Sequence, residues 1–566
     1  MTKKKVLCIL LASAMALTVL TTGCGKKEEV QESKVESSVK EKVQKESLVY
    51  AILSAPSGVF NPLLSDTTYD SDVNSLVYSA LLKFDDKGEL VSDLAESYEI
   101  SADQLSFTFK LKGNAKWHDG QAVTAKDVAF TFTAMADKDY TGANYSNVER
   151  LKGAADYHEG KVDHIEGIEV IDDQTIKFVF NEVYSPGLLN IGLSGIIPEH
   201  IWGKEAIAGW KENTGLLNAP IGSGPYKLSK YESGQAVTME RFDDYYGQKA
   251  KTKQFIFKVT NQDTAQVELT NGTVDIADVT SLKLKDIEML ESQGFKTISY
   301  PNQLIQYMGF NLRDSRFQDK NVRQAFMYGI NRQAMVDQLI EGNGVIVNTP
   351  MLPSSWAYPT DASLNPYAYD VEKAKQLLKA AGWEDRNGNG IVENAKNEEF
   401  VVHLKYPTGN KTREQIAPIV QSNLKDIGIQ LELSSMEFST LMDQVVGNHD
   451  FELYLMGNNI GIDPDPKPYW HSTSASDKKG EYAWNISGFK NTEADKMMEA
   501  GLSTFDLNQR KEIYKNFAKL MNEELPWVYF FSQNTKLAYN SQLEGFNPTT
   551  HLNFRNVENW VVYEEK

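Results

Sequence analysis

The stretch LAESYEISADQLSFTFKLKGNAKWHDGQAVTAKDVAFTF, residues 94–132, contains the two local patterns that decide the fold. Large apolar residues alternate with polar ones at Leu105, Phe107, Phe109 and Leu111, which predicts a half-buried strand over 105–111. Thr124, with Asp127 three positions later, predicts a capped helix that begins at the next residue. Strand and helix patterns that follow each other this closely indicate an α/β or α+β chain.

The same two periods recur further along the chain. Asp370 caps a predicted helix over 371–381, and a longer helix is predicted over 322–340. Another helix precedes an alternating strand at 429–433, and Pro418 predicts either its start or a kink in it. These elements establish a large α/β protein and no function.

The N-terminus has the pattern of an export signal. Three lysines at positions 3–5 precede an uncharged apolar run over 6–20, which is shorter than the roughly 20 residues of a spanning helix. Small residues then lead into Cys24, as in a bacterial lipobox, so we predict signal cleavage over 1–23 and lipid on the Cys24 thiol. A secretion signal that merely contains a cysteine, or a retained anchor, stays the alternative.

Residues 24–47 combine the lipidated cysteine with a charged stretch that has no aromatic residue and no proline. Such a composition buries too little apolar surface to fold, so we predict a flexible tether, with a short charged helix as the alternative. The only other cysteine, Cys8, leaves with the signal, which excludes a disulfide framework and a catalytic cysteine in the folded body.

Charge and motifs narrow the function further. Removal of the three signal lysines lowers the formal net charge from −19 to −22, which disfavours nucleic acid as a partner. The eight histidines show no zinc spacing, and no phosphate-binding or nucleophile-elbow motif occurs, so no enzyme is predicted. The run from Asp385 to Gly390 imitates the start of a calcium loop, but Lys396 occupies the twelfth position, where such a loop needs a glutamate. Glu393 could supply one oxygen to a cation, which stays the alternative, but a hairpin turn and no metal site are predicted.

Six segments, in this order, closely resemble family 5 of the extracellular solute-binding proteins, the dipeptide- and oligopeptide-binding group. They are residues 94–132 with its WHDG turn, GSGPYKL at 222–228, VELTNGTVDIADV at 267–279, FQDKNVRQAFMYGINRQAMV at 317–336, YDVEKAKQLLKAAGW at 369–383 and DPDP at 463–466. They are distributed along the mature body, from residue 94 to residue 466.

The resemblance implies a periplasmic-binding-protein-like (type II) fold, a two-lobed clamp with an extra domain and mixed sheets flanked by helices. It implies three domains, which are a discontinuous domain I (46–84, 215–305 and 535–566), domain II (85–214) and domain III (306–534). It also implies a monomeric receptor without a cofactor, anchored by lipid on the extracytoplasmic face of the cell membrane. Such a receptor closes on a short peptide and delivers it to the permease subunits of an ABC importer.

By similarity, two segments flank the ligand. The expected ligand-binding residues are Thr67, Thr68, Tyr69, Gly457, Asn458, Asn459, Asp463, Asp465, Trp484 and Asn485. An extended peptide would pair its backbone with receptor strands, and Asp463, or alternatively Asp465, would hold its terminal ammonium. Both aspartates would otherwise only start turns beside prolines. A nickel chelate, haem, an opine, an oligosaccharide or a peptide pheromone remain alternative ligands, and a surface hydrolase is an alternative of another class.

Overall fold

The computed structural model describes residues 42–85, 89–261, 264–361 and 363–565. The predicted signal peptide, Cys24 and the tether up to residue 41 lie outside these residues. Within them, no helix has the length and apolar character required to cross a membrane. The sites discussed below all lie in one unit, Val43–Glu564.

Helices and strands alternate along this unit. The α-helices of the described residues are α1 Thr68–Val77, α2 Ala125–Ala136, α3 Ala154–His158, α4 Gly187–Gly192, α5 Glu199–Trp202, α6 Thr214–Leu217, α7 Ala265–Thr270, α8 Leu284–Ser292, α9 Lys320–Gly329, α10 Arg332–Leu339, α11 Val371–Ala380, α12 Lys411–Asp426, α13 Phe438–Met442, α14 Lys467–Trp470, α15 Thr492–Leu502 and α16 Leu507–Glu524. The strands are β1 Lys42–Gln44, β2 Ser47–Ile52, β3 Leu82–Phe84, β4 Leu90–Ser92, β5 Ala95–Ile100, β6 Ser106–Leu111, β7 Ile168–Asp172, β8 Thr175–Val179, β9 Tyr226–Glu232, β10 Ala236–Arg241, β11 Gln254–Val259, β12 Ile276–Asp278, β13 Lys296–Pro301, β14 Leu304–Phe310, β15 Gly344–Ile346, β16 Val401–Pro407, β17 Gln430–Met436, β18 Leu453–Asn459, β19 Trp527–Tyr539, β20 Leu543–Glu544 and β21 Val561–Glu565.

The strand and helix predicted from residues 94–132 are confirmed as β6 and α2. β6 is an inner strand of a four-stranded antiparallel sheet, in the order β5-β6-β8-β7. The Asp127 carboxylate accepts the Thr124 main-chain N–H at 2.8 Å, which completes the predicted capping box. On the buried face of α2, the Phe132 ring packs edge-on against Phe178 of β8, with ring centroids 5.0 Å apart. The local pattern therefore dictated both elements and the face that each one buries.

Two helix boundaries differ from the prediction. The single helix predicted over 322–340 is wrong, because it is divided into α9 and α10 at Ile330 and Asn331. The Asn331 amide oxygen accepts the Ala334 N–H at 3.0 Å and so starts a new helix. Of the two predictions at Pro418, a helix start there is wrong, because α12 begins at Lys411 and continues through the proline, and a kink stays a prediction. The helix predicted after Asp370 is confirmed, since the Asp370 carboxylate accepts the Lys373 N–H at 2.8 Å.

The predicted tether, residues 24–47, extends too far along the chain. Lys42–Gln44 form β1, and β2 begins at Ser47. The Lys45 ammonium forms an ion pair of 2.8 Å with the buried carboxylate of Asp275. Because a buried carboxylate requires such a partner, Lys45 belongs to the folded unit and not to the tether.

A twelve-stranded mixed sheet connects two large hydrophobic cores. Its main path runs β17-β16-β18-β14-β19-β12-β2-β11-β10-β9, with β13 and β15 added beside β19. One core lies within residues 305–531, and the other draws mainly on residues 48–276 and 537–562. Strand β19 belongs to both, because its first half pairs with β14 and its second half pairs with β12 and β13. The predicted division into three domains remains a prediction.

Candidate functional site

Strand β18 has an open edge at its C-terminal end. It pairs with β14 along its whole length, from Phe310↔Leu453 to Leu304↔Asn459. On its other side, β16 pairs only with Leu453 and Tyr454. Ile460 donates its N–H to the Gln303 carbonyl at 3.0 Å, so it is a hydrogen-bonded position of the ladder with β14. Because such positions alternate along an antiparallel strand, the main-chain N–H and C=O groups of Gly457 and Asn459 point away from β14. On this side, opposite β14, no described strand pairs with β18 at these two residues.

A cavity of about 470 Å³ adjoins this edge. Thr68 and Tyr69 of α1 line it together with Asn459, so the structure brings together one residue or more from each predicted flanking segment. Ile52 and Leu537 of the second large core contribute to its wall. The remaining lining residues are Tyr50, Ala51, Ile52, Leu53, Asp72, Asp278, Tyr300, Pro301, Asn302, Gln303, Leu304, Thr535, Leu537, Thr550 and Asn553.

The start of α1 is held by a buried carboxylate. The Asp70 side chain accepts main-chain N–H groups from Ser57, Gly58 and Val59 at 2.9–3.0 Å. The Thr67 hydroxyl donates to the same carboxylate and accepts the Asp70 N–H at 3.1 Å, so Thr67 is the N-cap of the helix. This arrangement positions the first turn of α1 against the cavity and leaves the exposed Thr68 at its wall.

Two half-buried carboxylates face the cavity without a cationic partner. Burial raises the pKa of Asp72 to about 7, although an Asn553 hydrogen bond opposes the rise. Burial also raises the pKa of Asp278, whose carboxylate accepts the Thr280 N–H at 2.8 Å. Neither forms an ion pair with a described residue. This wall of the cavity therefore favours a bound cation or a proton.

A half-buried guanidinium lies over Gly457, on the face of the sheet toward which a Cβ at that position would point. The Arg413 Nε donates to the Gln306 amide oxygen at 3.2 Å, and a Cβ placed on Gly457 would lie 2.6 Å from Arg413 Nη2. Burial lowers the pKa of Arg413, and the described residues offer it no carboxylate. Glycine at position 457 is what allows the guanidinium to approach the strand so closely.

The two aspartates of the DPDP run have different surroundings. Asp463 forms a bidentate ion pair with Arg510, in which Nη2 donates to Oδ1 at 2.8 Å. Asp465 has no ion pair with a described residue, and burial followed by the nearby Asp463 charge raises its pKa. Neither side chain lines the 470 Å³ cavity. The predicted role of Asp463 as the ammonium anchor remains a prediction, on a carboxylate that Arg510 already neutralises.

The last two predicted residues lie away from the cavity. Asn485 is fully buried, where its amide group donates to the carbonyls of His471 and Phe489 and accepts the Phe489 N–H. Trp484 is 53% exposed and lies near Tyr469. Within this structure Asn485 holds a turn, and a ligand contact by either residue stays a prediction.

Sequence reasoning missed Asp72, Asp278 and Arg413. Only Arg413 offered a local indication, because a cation in the first turn of a helix opposes the helix dipole. The two aspartates are 206 positions apart in the printed sequence, and nothing local marks them as unpaired.

Comparison with known proteins agrees with this geometry. Residues 89–481 match the model of the bacterial extracellular solute-binding proteins, family 5 Middle. The oligopeptide-binding protein AppA of Bacillus subtilis (strain 168) is 32% identical over 566 residues, which span 99% of each chain.

Solved structures give the same result. The crystallised AppA from Bacillus subtilis, in complex with a nonapeptide, has a TM-score of 0.74 at 31% identity and covers 93% of this chain and 100% of its own. NikZ from Campylobacter jejuni, in complex with Ni(L-His), has a TM-score of 0.73 at 25% identity over 92% and 100% of the two chains. The fold is thus of the type II periplasmic-binding-protein class, as predicted. Because the family model covers most of the chain and AppA aligns over nearly all of it, this extracytoplasmic protein belongs to family 5 of the bacterial extracellular solute-binding proteins.

Proposed function

We propose that this protein captures short peptides and delivers them to an ABC importer. The observation that carries the proposal is the open edge of β18 at Gly457 and Asn459, which adjoins a cavity and has unpaired charges of both signs around it. The bound nonapeptide of the related AppA supports a peptide as the ligand.

The open edge explains how peptides of different sequence could bind. A peptide that adds as a strand beside β18 would satisfy the main-chain groups of Gly457 and Asn459 whatever its side chains are. The exposed Thr68 on α1 would face the same peptide from across the cavity. Affinity would come from the backbone, which all peptides share.

The unpaired charges suit the two ends of a peptide. We place the terminal ammonium at Asp72 and Asp278, because both carboxylates line the cavity and have no cationic partner among the described residues. Asp465 is the alternative partner for the terminal ammonium, if the peptide extends beyond this cavity. The terminal carboxylate is placed at Arg413, beside Gly457. Charge-assisted bonds of this kind gain strength in a closed, water-poor site.

Export and anchoring complete the proposal. Cleavage before Cys24 and lipid on its thiol would hold the protein at the extracytoplasmic face of the membrane, and the permease would receive the peptide there. The lysine run and the apolar run before Cys24 support this anchor. Globomycin-sensitive processing, and loss of membrane retention in Cys24→Ala, would test it.

The test of ligand class is calorimetric titration of the mature chain with random peptide pools of two to nine residues. The protein is first unfolded and refolded to remove any retained ligand. Saturable binding at micromolar Kd, about −8 kcal/mol or tighter, is expected. Asp278→Asn should weaken binding of free peptides and leave N-acetylated peptides unaffected. Asp163→Asn, which removes a 99% exposed carboxylate, is the matched control and should change nothing.

Each other result would indicate a different function for this protein. Binding of one sequence only would indicate a pheromone receptor, and peptide cleavage during incubation would indicate a hydrolase. No heat from any pool, with an intact thermal transition, would refute the peptide proposal. Ni(L-His), the ligand of the NikZ complex, would then be titrated next.

A further inference from the structure

The loop between α11 and β16 carries a regular series of oxygen-bearing side chains. Its sequence over 385–393 is DRNGNGIVE, with Asp385, Asn387, Asn389 and Glu393 at the first, third, fifth and ninth positions. The prediction of a plain hairpin turn rested on the absence of a glutamate at the twelfth position. The structure shows how the carboxylate of Glu393, at the ninth position, is placed relative to the loop.

Glu393 is a buried acid with an unsatisfied oxygen. The residue is only 2% exposed. Its Oε1 accepts the N–H of Arg386, the second residue of the loop, at 3.1 Å, so the carboxylate points into the loop. Its Oε2 is buried and has no hydrogen-bond partner among the described residues. A buried carboxylate oxygen without a partner is costly, and such atoms call for a missing ligand.

The one guanidinium at this loop does not neutralise Glu393. Arg386 donates from Nη1 to the main-chain carbonyls of Glu393 and Asn394, at 2.9 and 2.6 Å, and from Nη2 to that of Gly382 at 3.3 Å. Glu393 forms no ion pair with any residue that the structure describes. No described cation therefore compensates the Glu393 carboxyl group inside the protein.

The side-chain oxygens of Asp385, Asn387 and Asn389 each accept a main-chain N–H of the loop itself, with the Asn389 N–H donating to Asn387 at 2.9 Å. The Asp385 carboxylate accepts the N–H groups of Gly388 and Gly390, at 2.7 and 3.0 Å. The Asn389 amide oxygen accepts the Ile391 N–H at 2.9 Å, while its Nδ2 donates to Glu399 at 2.7 Å, which fixes the orientation of the amide. A carbonyl or carboxylate oxygen that accepts one hydrogen bond keeps lone pairs for a cation.

We propose that the 385–393 loop binds Ca²⁺, with side-chain oxygens from Asp385, Asn387, Asn389 and Glu393. The donor set contains oxygen alone, which suits a hard cation and disfavours zinc or copper. No group of three or more His, Cys, Asp and Glu side chains among the described residues could hold a metal ion, so this site depends on its amide oxygens. With two carboxylates, its Kd belongs in the range of extracellular modules, about 10⁻⁴–10⁻³ M.

The site would stabilise the junction of three elements. Val392 donates its N–H to the carbonyl of Gly428, just after α12, at 2.8 Å, and its own carbonyl accepts the N–H of Phe400, just before β16, also at 2.8 Å. The loop begins just after α11. Ca²⁺ bound there should raise the thermal midpoint of the protein, since a ligand of the native state alone stabilises it by mass action.

The test is a titration of the EDTA-stripped mature chain with CaCl₂ and, separately, with MgCl₂, followed by thermal unfolding at each concentration. Ca²⁺ should saturate the protein below 10 mM and raise the midpoint by about 1–3 °C, with Mg²⁺ at least about tenfold weaker because it demands a smaller octahedral site. Glu393→Gln should weaken Ca²⁺ binding by about tenfold or more, and Asn387→Asp, which adds a charge, should tighten it severalfold.

Glu398→Gln is the matched control, because it removes the same charge from an exposed residue near the loop that is outside the donor set. It should leave Ca²⁺ affinity unchanged. The proposal is overturned if the wild-type chain takes up no Ca²⁺ below 10 mM, or if Glu393→Gln binds as tightly as wild type. Should Glu393→Gln fail to fold, an unchanged affinity in both Asp385→Asn and Asn387→Asp would overturn it equally.

Discussion

Arg413→Gln should improve the stability of the empty protein and damage peptide binding at the same time. The Arg413 guanidinium is half-buried beside Gly457, it donates to the uncharged Gln306, and its pKa is lowered by burial. In the absence of ligand this charge is desolvated without compensation. A peptide carboxylate at the open edge of β18 would supply the missing partner.

The two effects have different magnitudes. Replacing the charge by a neutral amide removes the desolvation penalty, and the free energy of unfolding should rise by about 1 kcal/mol. Loss of a buried, hydrogen-bonded charge pair costs about 2–4 kcal/mol of binding free energy, which corresponds to an affinity about 30- to 1,000-fold lower. A residue with only a structural role would lower both quantities together.

The assay combines urea unfolding with calorimetric titration of one peptide in two forms, with a free and with an amidated C-terminus. Arg413→Gln should lose affinity for the free form and keep wild-type affinity for the amidated form. Lys411→Gln, which removes an exposed cation from the same turn of α12, should preserve the preference for the free form. Equal losses for both peptide forms, or a less stable variant, would refute the assignment of Arg413 to the terminal carboxylate.

Three further outcomes follow from the described contacts. Gly457→Val should lower peptide affinity by at least about tenfold, because the valine Cβ would lie 2.6 Å from Arg413 Nη2. The control Gly461→Ala, whose Cβ would contact only the Asp463 carbonyl at 3.4 Å, should bind peptide with wild-type affinity in the same titration. Peptide affinity should fall as the pH drops below about 7, where Asp72 takes up a proton, and Asp72→Asn should remove this dependence if titrated from pH 5.5 to 7.5. Burial lowers the pKa of His118 from its ordinary 6.5 to about 4, so neutral His118 contributes stability above pH 6.5 that is lost as the pH falls toward 4. The loss should reach about 3 kcal/mol in urea unfolding; His118→Gln should flatten this slope, and replacement of the exposed His164 by Gln should leave it unchanged.

The sequence predicted those elements whose determinants are local. The strand β6 and the capped start of α2 depend on residues within a few positions of one another, and both were correct. The prediction of a single helix over 322–340 is wrong, because the apolar spacing continues across Asn331 although the side chain of Asn331 caps a second helix. A cap and a helix interior compete at such a residue, and tertiary packing decides between them.

The candidate site was only partly predictable for the same reason. Thr68, Tyr69 and Asn459 were placed near the ligand by family resemblance, and they do line one cavity. Asp463 lies 47 positions before Arg510 in the chain, and no periodic pattern indicates that the two side chains meet. Whether a charge is already paired depends on the folded chain, so the sequence cannot distinguish an anchor from an internal ion pair.

The pairing of charges within the fold is therefore the strongest guide to function. Arg332 is buried and donates to the carbonyls of Val347, Pro366, Tyr367 and Tyr529, and Asp70 is buried and accepts four hydrogen bonds from residues 57–59. Asp70 completes its interactions internally, and Arg332 does so with both of its Nη atoms although its Nε has no partner among the described residues, so loss of either residue would destabilise the protein. Asp72, Asp278, Arg413 and Glu393 are partly or wholly buried and have no ion partner among the described residues. Since burying an unpaired charge is unfavourable, a partner from outside the chain would remove this penalty at each of the four residues, and neutral substitution there should stabilise the ligand-free protein while weakening the binding of that partner.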